Sequence, residues 1–198
     1  MRRSHPSEAA SARAARARRA ESIATAAAVV AVDVAMLVTM GRAVALLAVA
    51  LAVAYVVWLA QAVVEPRRVL FAYLLAVLVQ ALHFIEEYRA SFYREFPPLV
   101  GAAPWSRPTF LLFNLAWLFV FVLAAQGLAR RWRPAAVVAL FLALGGGVLN
   151  GLGHFALAAR ASAYFPGLYT APLSLATGSY LLLRILRRSG PQRRSLVR

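Results

Sequence analysis

Residues 74–89 read LLAVLVQALHFIEEYR, and the ending of this segment decides how the chain is read. From Val69 to Leu82 no side chain is charged. Continued to Tyr88, the run reaches the ~20 residues a helix needs to cross the hydrocarbon of a bilayer. A simple anchor ends in Trp, Tyr, Arg or Lys. This one ends in an imidazole and two carboxylates, His83, Glu86 and Glu87. The i, i+3 and i, i+4 spacings put each carboxylate on the helix face of His83.

The rest of the chain agrees with a membrane reading. Of its 198 residues, 62% are hydrophobic, and mean hydropathy is +0.69. Soluble domains lie nearer half apolar. Cysteine is absent, which excludes disulfides and thiolate metal sites. All 22 basic residues are arginines, and the net charge is +15. Because these arginines flank apolar runs, they read as topology signals and contacts for anionic lipid. Nucleic acid is not expected as a partner.

Six apolar spans follow one another at about 22–40, 43–64, 69–88, 109–129, 134–159 and 169–187. They predict an all-α integral membrane protein, a bundle of six transmembrane helices, since lipid admits only helices or closed barrels. With the N-terminus inside, 17 arginines fall on the inner side and 5 on the outer. That asymmetry predicts an N-in, C-in, multi-pass protein of the plasma membrane. Residues 1–20 read as a basic Ala/Arg-rich tail, either disordered or lying on the membrane surface. The six-helix domain occupies 21–188, and a basic tail 189–198. The one long loop, 89–108, reads as an interfacial cap or an ordinary linker.

This orientation sets polar groups from four helices at one outer level. The third span brings His83, Glu86 and Glu87. The fifth brings Asn150 and His154, again i, i+4. The fourth contributes Asn114, and the sixth Tyr169, Thr170 and Ser174. Two carboxylates closing an apolar run need partners, protons or a cation.

Two chemistries fit. In one, His83, Glu86 and His154 bind a divalent transition metal (Zn, Fe or Mn), with Glu87 or Asn150 as a further ligand or supporting partner. In the other no metal is used, and a carboxylic acid works with a neighbouring base on a lipophilic substrate. That would suit an isomerase, cyclase or hydrolase of a lipid or isoprenoid. The plain alternative is interfacial: Glu86 pairs with Arg89, Glu87 faces water and His154 is a satisfied interfacial histidine. A carrier or receptor for a cation or small ligand is a further reading, although Asp33 is the sole acidic group at mid-depth. Thr177 and Tyr180 are its expected partners, on depth alone. Ala143, Gly147 and Gly151 recur every four residues, the spacing of close helix packing.

Three motifs stand in order: H-x-x-E-E at His83–Glu87, N-x-x-x-H at Asn150–His154 and Y-x-P-G at Tyr164–Gly167. Together they resemble the HXXEE-domain family of small bacterial and archaeal integral membrane proteins, over about residues 69–180. The resemblance implies the residue set and no particular reaction. Pro166 and Gly167 are then expected to form a tight turn bringing Tyr164 and Thr170 to the rim of the pocket. The expected site is His83, Glu86, Glu87, Asn150 and His154, with Asn114, Tyr164 and Thr170 secondary. The oligomeric state is left open.

Overall fold

In the computed structural model, residues 8–60 and 66–187 are described, and they are helical with no strand among them. The helices are α1 (Glu8–Met40), α2 (Ala45–Ala60), α3 (Pro66–Arg89), α4 (Phe92–Leu99), α5 (Arg107–Ala129), α6 (Ala135–Phe141), α7 (Asn150–Ala161) and α8 (Ala171–Leu186). A π-helical segment, Leu142–Leu149, joins α6 to α7 without a break. The 189–198 tail and residues 1–7 of the N-terminal one lie outside the described residues. Residues 10–20 of that tail are exposed and continue α1.

Among the described residues, four stretches are long and apolar enough to cross a membrane: 10–60, 68–89, 107–129 and 135–161; α8 is a shorter apolar helix. The first is a hairpin. Gly41 takes φ +68°, which glycine tolerates because it has no Cβ. The chain then folds back, so that Tyr55 donates to the Ser22 carbonyl, 33 residues earlier.

The packing of α3 differs from that of a helix in a soluble bundle. On α3 the inward stripe is Val69, Ala72, Tyr73, Ala76, Gln80, His83 and Glu87, while Phe71, Leu74, Leu78, Leu82 and Ile85 face outward. Large exposed apolar surfaces of this kind mark contact with something other than water. On this helix the polar groups lie inside and the leucines outside, which suits a bundle solvated by acyl chains.

Hydrogen bonds fix the two ends of the bundle. At one end, Trp58 donates to the Arg133 carbonyl, Arg133 pairs with Glu21 at 2.9 Å, and Arg184 reaches the Arg68 carbonyl. At the other, Trp105 donates to the Met40 carbonyl and Glu86 meets the residues just before α8. The 89–108 segment folds over this second end. Its helix α4 buries Phe92 and Tyr93, and Phe92, Phe96, Trp105 and Phe110 form one aromatic cluster.

The glycines of the fifth span hold α8. A Cβ on Gly147 would lie 2.4 Å from Gly178 Cα, and one on Gly151 would lie 2.8 Å from Leu175 Cβ. Backbone therefore meets backbone, and α8 is drawn against the helix that carries Asn150 and His154. Asp33 does not find the partners expected for it. Its Oδ1 has no hydrogen bond, and the Thr177 hydroxyl is bound to the Leu173 carbonyl of its own helix.

Candidate metal and acid–base site

His83 and Glu87 lie one turn apart on the inward face of α3, and His154 lies on the facing side of α7. All three are buried, at 0%, 4% and 1% exposure. Their inward atoms form a compact triangle. His83 Nε2 and His154 Nε2 are 3.1 Å apart, and Glu87 Oε1 is 3.4 Å from the first and 3.3 Å from the second. In a tetrahedral site with bonds of about 2.0–2.1 Å, neighbouring ligand atoms stand ~3.3–3.4 Å apart. The triangle has the size of one face of such a site. Asn150 closes the group from below, with Nδ2 2.7 Å from His83 Nε2.

Glu86 goes elsewhere, because one residue along a helix turns the side chain by about 100°. Its carboxylate accepts from the Tyr169 and Thr170 amides, the Thr170 hydroxyl and the Tyr164 hydroxyl. These amides lie at the N-terminus of α8, where unsatisfied N–H groups and the helix dipole favour an anion. Glu86 is thus the anchor of the 162–170 loop and is not part of the His83–Glu87–His154 group. The Arg89 pairing that its spacing allows is not the contact it makes.

Thr170 joins the two carboxylates' territories. Its hydroxyl oxygen lies 2.5 Å from Glu86 Oε2 and 2.7 Å from His83 Nδ1. A hydroxyl has one proton. Donated to Glu86, it leaves the oxygen to accept from His83 Nδ1–H. His83 Nε2 then carries a lone pair aimed into the triangle. A partner on the second nitrogen is the usual way a protein orients a ligating histidine.

The Y-x-P-G segment forms the lid. Gly167 takes φ +93° and lies so close to the His154 ring that a Cβ there would sit 2.3 Å from Cε1. Tyr164 stacks on Tyr169 at 4.7 Å. Its hydroxyl is pushed up to about 12 by burial, then by its bond to Glu86. Phe92 of α4 leans on the other side of His154, with ring centroids 5.3 Å apart, and Phe165 packs edge-on against Phe92.

His83, Glu86, Glu87, Asn150, His154, Tyr164 and Thr170 are therefore connected. Asn114 is not. It is buried on α5 with Nδ2 unpartnered, and it makes no hydrogen bond to the cluster. Phe92 and Phe165 escaped the sequence reading, since nothing separates them from the other aromatics of their loops. Among the described residues, His154 Nδ1 is buried without a partner.

No curated protein and no solved structure matches this chain. A family model, described as a protein of unknown function with HXXEE motif, matches residues 74–181. That stretch is more than half of the chain and contains every connected residue of the cluster, so the chain belongs to the HXXEE family.

Proposed function

We propose that this protein is a membrane-embedded, metal-assisted enzyme acting on a lipophilic substrate. The observation that carries the reading is the triangle of His83 Nε2, His154 Nε2 and Glu87 Oε1, with edges of 3.1–3.4 Å, buried inside the bundle. Two imidazoles and a carboxylate are donors for Zn, Fe or Mn. A divalent ion there would offset the buried carboxylate and polarise a substrate oxygen or lower the pKa of a bound water. Thr170 and Glu86 hold His83 in the ligating tautomer. Glu87 supplies the negative charge. The lid over His154 keeps the site dry.

Six crossings with both termini cytoplasmic, in the plasma membrane, form part of the same proposal. The alternating helix directions and the arginines gathered at the Arg68, Arg133 and Arg184 end support them. The pocket then lies at the level of the outer leaflet, where a lipid reaches it laterally.

A metal-free reading is favoured by one contact. The Asn150 amide points a donor at His83 Nε2, the lone pair that an ion would use. An amide turned by 180° presents its oxygen instead. In this alternative, Glu87 and the histidine pair move a proton on the substrate.

Elemental analysis of the detergent-purified full chain separates the two. About one transition-metal ion per chain, lost in Glu87→Gln and in His154→Ala, supports the metal reading. Full occupancy in the His83→Ala, His154→Ala double variant, or a metal-free protein whose turnover survives chelation, ends it.

A further inference from the structure

Beside the cluster, a cleft of about 460 Å³ opens between the end of α3, α4, the end of α7 and the 162–170 loop. Volumes of this order suit small-molecule sites. Its walls combine two kinds of surface. Leu99, Leu157 and Phe165 are apolar. Glu95 and Arg160 are of opposite charge, and among the described residues neither forms an ion pair with the other or with a third group. Two opposite charges kept apart on one cleft match a ligand that carries both.

The helices that end at the cleft carry exposed apolar surface. Leu82 and Ile85 of α3 and Leu152 and Phe155 of α7 are exposed on the helices that lead to it. It also touches the cluster's lid. Tyr164 and Phe165 line it. Tyr164 donates to Glu86, and Phe165 packs on Phe92, which leans on His154. A molecule seated here lies two side chains, Phe165 and Phe92, away from the triangle.

We propose that this cleft seats the head group of a zwitterionic lipid, its phosphate at Arg160 and its ammonium at Glu95, with the first chain carbons against Leu99, Leu157 and Phe165. This names the class of the lipophilic substrate and rests on the reading given above. A free phosphoamine compound shares the charge pattern, but it makes no use of the apolar wall.

The test uses the full chain in detergent micelles doped with one lipid at a time, with retained lipid counted by native mass spectrometry. Phosphatidylethanolamine is expected to be retained about two- to fivefold over phosphatidylglycerol, the size an exposed charge contact supports. Glu95→Gln removes the preference, and Arg160→Gln lowers retention of both lipids. Soluble glycerophosphoethanolamine does not compete. Equal retention by the wild type, a preference that survives Glu95→Gln, or competition by the soluble head group at lipid concentrations overturns the proposal. Metal content of the same preparations keeps the two ideas apart. Metal present without lipid preference overturns the cleft alone. Preference intact without metal overturns the metal centre alone.

Discussion

The Nε2 atoms of His83 and His154 lie 3.1 Å apart, although 71 residues separate them in the chain. Two lone pairs cannot face each other at that distance. Either a proton or a cation lies between the rings, and Glu87 at 3.3–3.4 Å supplies the countercharge.

The two neighbouring carboxylates have different work, so their amides should behave differently. Glu87→Gln is expected to abolish metal retention. Glu86→Gln, which touches the histidine only through Thr170, is expected to weaken it about 10–100-fold. Isothermal titration of the apo-protein with Zn²⁺ measures both. The reverse order would refute the assignment.

Thr170→Val removes the acceptor that holds the proton on His83 Nδ1. It should lower metal affinity by about one to two orders of magnitude, as losses behind a ligating histidine do. Thr170→Ser keeps the hydroxyl and should restore most of it. A loss in Thr170→Ser with none in Thr170→Val would mean that the methyl group, and not the hydrogen bond, is what matters.

Two glycines near the site predict opposite signs. Gly167→Ala forces a Cβ into the His154 ring at φ +93° and should cost about 1–3 kcal/mol or more. Gly153, on α7 with nothing within 4 Å of a built Cβ, should accept Ala with a gain of about 0.4–1 kcal/mol. Thermal melts in detergent read both. A neutral Gly167→Ala would mean that the lid does not rest on His154.

The Tyr164 contact gives a pH test. Its ordinary value of 10.0 is raised to about 12 in the folded protein, so folding favours the protonated phenol. The stabilisation is fully present below pH 10 and is lost as pH rises through about 12. The difference in melting temperature between wild type and Tyr164→Phe should be constant below pH 10 and shrink above it. A difference that grows with pH would contradict the hydrogen bond to Glu86.

Much of this architecture is written in local patterns. Apolar run length marks the helices from Val69 to Leu82 and from Thr109 to Ala129, because lipid imposes a length and a charge-free composition. The i, i+4 spacings of His83–Glu87 and Asn150–His154 mark two faces that carry polar groups. Spacing alone does not say which of Glu86 and Glu87 turns inward, since both lie near the face of His83. That choice is made by α8, whose first amides capture Glu86. Whether residues 89–108 cap the bundle or only link two helices stayed open at the level of sequence, because Phe92 finds its place only against His154 and Phe110.

The π-helical stretch at Leu142–Leu149 has an aiming role. The Asn150 amide reaches back five residues, to the Gly145 carbonyl, so each such turn holds one residue more than an α turn. Wound at ordinary α pitch with the same number of residues, this segment would swing everything after it by about 100°. Asn150 and His154 would then look past His83 on an otherwise intact helix. The wide pitch thus couples the scaffold to its chemistry; without it a stable bundle would have a blind centre.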